Sequence, residues 1–454
     1  MVVILVLIGL LTRLPFLSKW LEDWDSVQFA LAMHHYSLTQ GLPHPPGYPL
    51  YILLGRFFLL FTQNDNLALT LMSALLGSLA AVPLYLLTKE LLDRKVAFWT
   101  NLVFLLIPVE WGLSEVALTN IPGQFFLLTL IYLLYLFRNN QQAIPIISLG
   151  FGLLLGFRFT EFPIIVSLLA LSLIRFRKLK LILISSISFL IGILIWLTPL
   201  ILITGLSEFI KVYTANASYI IQHDSLLNQE VHKSVLLARF KALVYLLQIG
   251  YGWLFIGLSI IAIGYLLINK AIQYRYAFIG VWLAAYLLPL LIFYNLEVAR
   301  YTVPLAAPLS ILLVSTIFIL ASRFKLVYLL LPTLIIILFI QGYDQVSRFH
   351  NQTPPVISAV NFVKQNYSPQ DTLIVPTVTL RHFQYYAPEF RLLDLDKDPL
   401  VMNPKYKNII IDYSGTKEKL GLNMKEKKFT FDGEKDIYNR VSSVTIYSLK
   451  PKSE

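Results

Sequence analysis

Cysteine is absent from the 454 residues, which excludes disulfides and thiolate metal sites and leaves the redox compartment open. Charge is scarce: 14% of residues are Asp, Glu, Lys or Arg against 57% hydrophobic, and the mean hydropathy is +0.67. A water-soluble fold needs a polar exterior that this composition does not supply. The opening "MVVILVLIGLL" lacks a basic n-region and a small-residue cleavage site, so it reads as a retained first span rather than a signal peptide. No strand-period alternation marks the apolar runs as barrel strands, and neither a Gly-rich dinucleotide fingerprint nor a short repeat occurs.

What the chain does contain is a series of apolar runs approaching the roughly 20 residues that cross a bilayer as a helix. Between them stand short basic loops, among them "KELLDRK" from Lys89, "RNNQQ" from Arg138, "RFRKLK" from Arg175, "NKAIQYR" from Asn269 and "SRFK" from Ser322. The net charge of +11 therefore reads as topology, with these loops in the cytoplasm, and not as a nucleic-acid surface. About eleven spans follow, near 2–17, 66–88, 96–111, 121–137, 143–157, 162–174, 181–203, 243–268, 276–294, 301–320 and 326–341. The apolar segment from Gly47 to Phe61 is expected to lie at the interface or re-enter, because counting it as a span would send the later basic loops outside. The fold class expected is an all-α polytopic membrane domain over 1–341 with added interfacial helices. A small α/β soluble domain over 342–454 would follow on the outer face, where "TLIVP" and "NIIIDY" read as strands.

On this path carboxylates collect outside. "LEDWDSVQF" places Glu22, Asp23 and Asp25 just past the first span, and "HPPGYPLY" follows from His44. Asp and Glu contribute little to orientation, so their enrichment on one face needs another cause. Asp25 with Gln28 three residues on fits a capping box, and it equally fits a substrate-site carboxylate at the membrane edge. In "HPPGYP", Gly47 permits a tight turn and Pro49 suits a first helical turn.

Taken together, "TRLPF", "WDS", "HPPGYPLY", "ALLGSLAAVPLYLLTKELLDRKVA", "SEVALTNIPGQFFLLTLIYLLYL", "GLLLGFRFTEFP" and "ARYTVPLAAPL" resemble the GT-C superfamily of membrane glycosyltransferases. The branch they resemble is the protein O-mannosyltransferases, glycosyltransferase family 39, with bacterial relatives that use polyprenyl-phosphate sugars. The resemblance is densest over about the first 165 residues.

It implies that Asp25, with Asp23 as the lesser alternative, acts as base or positioner for an acceptor hydroxyl, and that Glu115 contacts acceptor or sugar. Inversion at an anomeric carbon needs such a carboxylate opposite the leaving group. Arg158 and Arg300 are expected at the donor phosphate, where a planar guanidinium makes paired hydrogen bonds; an Arg158–Glu161 pair or interfacial snorkelling is the bland alternative. His44 stands where some relatives carry a phosphate-holding basic residue, and Tyr301 is a secondary candidate. No metal is expected as cofactor; a divalent ion held by "EDWD" with Glu115 ranks below metal-free catalysis.

The implied partners are a polyprenyl-phosphate-linked sugar, the bilayer and an acceptor of unknown class, with no nucleic acid. The expected location is the cell (inner) membrane with the site facing outward, or the endoplasmic reticulum in a eukaryote. The rival reading is a transporter or flippase, which would more commonly show inverted repeats and ionisable groups near the bilayer midplane.

Overall fold

The structure, a computed structural model, describes residues 1–228, 233–268, 274–394, 406–420, 424–430, 437–438 and 443–449. Helices dominate the first 351 residues: α1 (Val2–Arg13), α2 (Trp24–His34), α3 (Pro49–Thr62), α4 (Asp65–Leu79), α5 (Ala81–Leu91), α6 (Arg94–Leu106) and α7 (Pro108–Leu113). There follow α8 (Asn120–Leu136), α9 (Ala143–Leu154), α10 (Phe162–Ile174), α11 (Leu179–Thr204), α12 (Leu206–Tyr219) and α13 (Lys233–Tyr251). The bundle closes with α14 (Trp253–Ile268), α15 (Tyr274–Phe293), α16 (Ala306–Ala321) and α17 (Leu330–Asn351). Among the described residues, six helical stretches of 18 residues or more are apolar enough to cross a membrane, and six shorter apolar helices accompany them.

Local chemistry sets the helix starts. Asn64 Oδ1 accepts from Leu67 N–H at 2.9 Å, and Asp93 Oδ1 accepts from Lys95 and Val96 N–H at 2.7 and 3.0 Å. Each satisfies amides that have no partner inside the first turn. Gly47 sits at φ +90° and Pro49 opens α3, as their chemistry suggests.

Three expectations need correction. The span read over 96–111 breaks at Ile107, because Pro108 begins a new helix and cannot donate to the old one. The span read over 243–268 is two helices, divided at Gly252, whose φ of +77° no continuing helix permits. The outer loop expected from Thr204 to Lys241 is largely helical, through α12 and the start of α13. In addition, α17 runs without interruption across residue 341, where composition turns polar.

Beyond the bundle lie α18 (Pro355–Asn366), β1 (Thr372–Val375), α19 (Leu380–Tyr386), β2 (Arg391–Leu392), β3 (Asn408–Ile411), α20 (Ser414–Leu420), β4 (Met424–Thr430) and β5 (Ser443–Leu449). The sheet order is β2-β1-β3-β5-β4, with β2, β1 and β3 parallel and β5 antiparallel to both neighbours. Alternation along the strands sends Ile374 and Ile410 to one face, against Val360 and Phe383, while Leu373 and Ile409 face Met424 and Tyr447. Both faces of β1 are covered, which accounts for its unbroken apolar run.

Within the bundle, α9 and α11 cross so closely that a Cβ on Gly152 would meet the Phe189 carbonyl and one on Gly192 the Leu149 carbonyl. Backbone cannot yield there as a side-chain tip can. Gly192→Leu should lower the thermal midpoint in detergent, at a cost of about 1–3 kcal/mol or more. Gly280→Ala, where nothing lies within 4 Å, should leave it nearly unmoved; equal midpoints would show the crossing to be loose.

Candidate active site between the bundle and the C-terminal domain

Asp23, not Asp25, is the N-cap of α2: its Oδ1 accepts from Asp25 N–H at 2.8 Å. Gln28 closes no capping box, since its Oε1 faces Nδ1 of His44 at 2.6 Å and accepts from His44 N–H at 3.3 Å. Freed of capping, the Asp25 carboxylate lies in the first turn of α2, where the helix dipole favours negative charge.

Arg300 binds both carboxylates, Nη1 donating to Asp23 Oδ2 and Nη2 to Asp25 Oδ2, each at 2.8 Å. All three side chains are partly enclosed, with 17% of Arg300, 23% of Asp25 and 29% of Asp23 exposed. The other oxygen of Asp25, Oδ1, has only His44 Nδ1 at 3.5 Å, beyond an ordinary hydrogen bond. Burial pushes both carboxyls up. For Asp25 the nearby His44, Arg300 and Arg158 outweigh it and hold the group below its usual range, whereas burial and repulsion from Asp25 leave Asp23 above. The pair is thus split, with Asp25 the more firmly ionised.

The remaining expected residues divide. His44 joins the centre, with Nε2 also 3.1 Å from Tyr48 Oη. Arg158 is buried and donates from Nε to Glu161 and from Nη1 to Thr119 Oγ1, both at 3.1 Å, so the structural pair is present; its Nη2 has no partner among the described residues. Tyr301 stacks on Tyr294 at 5.3 Å, with the Arg300 guanidinium 5.9 Å from its ring. Glu115 is not brought to the centre. It is fully buried near Arg13 and Trp111, and its backbone carbonyl accepts from Ser18 N–H at 2.9 Å.

A cavity of about 300 Å³ opens beside Asp23, Asp25 and Arg300. Trp20, Trp24 and Leu113 form part of its wall, and the C-terminal domain supplies Val378, His382 and Tyr438. That domain is fastened by α19: Tyr386 Oη accepts from Leu21 N–H at 2.8 Å and Arg381 Nη2 donates to the Gln40 carbonyl at 2.5 Å. Asp412 in turn holds the segment before α19, accepting from Thr377 N–H, Thr379 N–H and Thr379 Oγ1 at 2.6–2.7 Å. Tyr438 stacks on Phe349 of α17 with 3.7 Å between ring centres.

Comparison with known proteins bears on this arrangement. The crystal structure of ArnT from Cupriavidus metallidurans bound to undecaprenyl phosphate aligns over 98% of this chain and 97% of its own, with a TM-score of 0.60 at 12% identity. The Archaeoglobus fulgidus oligosaccharyltransferase, crystallised with Zn and sulfate, aligns over 90% of this chain and 67% of its own, with a TM-score of 0.55 at 15% identity. The chain has the fold of the GT-C membrane glycosyltransferases.

In sequence, residues 28–108 match the family model of the protein O-mannosyl-transferase TMEM260 N-terminal domain. This stretch contains His44 and begins just after Asp25. No curated protein matches the chain in sequence.

His382 and Tyr438 escape sequence reading, since neither lies in a recognisable motif and only folding brings them to Asp25. Nε2 of His382 lies 2.7 Å from the Glu22 carbonyl, which can only accept, so Nε2 carries the hydrogen. Burial lowers this histidine from 6.5 to about 4, despite that bond. Between those values a released histidine binds a proton that the docked one refuses. The stabilisation, on the order of 3 kcal/mol, is full above pH 6.5 and is lost as pH falls toward 4. Hydrogen exchange of α19 amides should rise across that window in the wild type and less in His382→Gln. An identical acid response in both would remove His382 as its source.

Proposed function

We propose that the protein is an inverting glycosyltransferase of the outer membrane face, moving one sugar from a polyprenyl phosphate to an acceptor hydroxyl. The observation that carries the reading is Asp25. One of its oxygens is fixed by Arg300, and the other lacks a close partner at the edge of a cavity able to admit an acceptor. The sequence match to a protein O-mannosyl-transferase domain supports the reaction class, and a structural neighbour that holds undecaprenyl phosphate supports a lipid-linked donor.

In the step proposed, the acceptor hydroxyl gives its proton to Asp25 Oδ1 as its oxygen bonds the anomeric carbon. The bond from that carbon to the phosphate oxygen breaks on the opposite face, and polyprenyl phosphate leaves with the electron pair. A single displacement inverts the centre. Phosphate leaves without strong acid help, so fixed positive charge matters more than a general acid. Arg158, with an unpartnered buried Nη2, and His44 are the cationic or proton-donating groups offered for that phosphate. Arg300 has both terminal nitrogens on carboxylates, so its part is to aim Asp25 and add to the positive field.

A divalent ion does not fit this donor set. Asp23 and Asp25 share an arginine, Glu115 lies with Arg13, and no three acidic, His or Cys side chains converge among the described residues. No step is routed through a metal.

Purified wild type and Asp25→Asn, given radiolabelled polyprenyl-phosphate sugars with extracted membrane acceptors, should differ by about a thousandfold or more in polyprenyl phosphate release, the asparagine being unable to take the proton. Equal release from a folded Asp25→Asn would exclude Asp25 as the base.

A further inference from the structure

The wall opposite the bundle raises a question that the transfer step leaves unanswered: what in the cavity recognises the acceptor? Its inner end is polar, with Asp23, Asp25 and Arg300, and much of the remaining wall is apolar, including Leu113, Val356 and Val444. Among the polar groups of the wall, beside Glu22, Ser26 and Tyr438, is His382. It is 3% exposed, lines the cavity, and has Nε2 committed to the Glu22 carbonyl. In the neutral ring that bond leaves Nδ1 as a bare acceptor, and Nδ1 has no partner among the described residues. A buried acceptor without a donor is uncommon in native structures and calls for a partner from outside the chain.

We propose that the C-terminal domain selects the acceptor through His382, whose Nδ1 accepts a hydrogen bond from an N–H or O–H group adjoining the hydroxyl that Asp25 deprotonates. This rests on the glycosyltransferase reading. The acceptor class that fits carries no negative charge near its nucleophile. Asp23 and Asp25 outnumber Arg300, and Glu22 lines the same cavity, so an anion is disfavoured there. The acceptor thus meets two groups from opposite ends of the chain: Asp25 takes the proton and His382 sets the orientation. His382 is a specificity-determining residue in this scheme, not a base.

Two substitutions separate this role from a structural one. Gln can place its amide N–H where Nε2 stood and keep the bond to Glu22, while losing the acceptor at Nδ1. Asn can place its carbonyl oxygen near Nδ1 and lose the bond to Glu22. The full-length proteins are given radiolabelled polyprenyl-phosphate mannose and two small probes, N-acetylethanolamine and its N-methyl derivative, which lacks the N–H. Donor hydrolysis by water is followed in parallel.

The wild type should transfer to the N–H probe about tenfold better than to the methylated one. His382→Gln should lose that preference through a raised acceptor KM, while His382→Asn keeps most of it although its thermal midpoint falls. The inference is overturned by wild-type indifference between the probes, by donor hydrolysis without transfer to either, or by the reverse order of the two variants. Absence of donor turnover in the wild type would instead strike the glycosyltransferase reading itself.

Discussion

The fork of Arg300 across Asp23 and Asp25 is the contact on which the rest of the site depends. It joins positions 275 and 277 residues apart, at the start of α2 and in the 3-10 turn Ala299–Leu305 that leads into α16. Two carboxylates this close repel one another, and without the guanidinium one of them would give up its charge. Binding both with one cation leaves the cluster with a single net negative charge. It also orients Asp25 so that one oxygen is tied and the other is available. The backbone under Arg300 is held as well, since Asn120 Nδ2 donates to its carbonyl at 2.9 Å and Tyr286 Oη to that of Tyr301 at 2.8 Å.

Much of this could be read from the sequence. The spacing of apolar runs and basic loops anticipated most helices, and the outer-face placement of Asp25, His44 and Arg300 anticipated that folding would gather them. What failed had local causes. A capping-box pattern does not say which of two nearby aspartates takes the cap; Asp23 takes it through one oxygen and binds Arg300 through the other. Hydropathy windows pass over single residues that end a helix, so the breaks at Pro108 and Gly252 were missed. Loop membership did not reveal that Glu115 turns inward, toward Arg13, where a buried cation and carboxylates offset each other's desolvation. His382 was out of reach altogether, because its significance arises from a contact 360 residues away in the chain.

The C-terminal domain is secured in part through polar contacts to backbone groups of the segment between α1 and α3. Glu22, Leu21 and Gln40 each receive or provide one. Side chains of the same stretch add to them, with Leu21 buried in the core and Trp24 against His382 and Arg381. Ile437 and Tyr438 press against Gly112, where any larger residue would collide with them. The floor of the cavity and its roof are therefore matched at one small residue.

The continuity of α17 has a further consequence. From Ile340, where its apolar stretch ends, to Phe349, which carries Tyr438 over the cavity, the helix rises about 13 Å at 1.5 Å per residue. An unbroken helix works here as a ruler, fixing the distance from the end of its apolar stretch to the cavity wall. One residue added or removed between those two points would turn Phe349 by about 100° around the helix axis and take it off Tyr438.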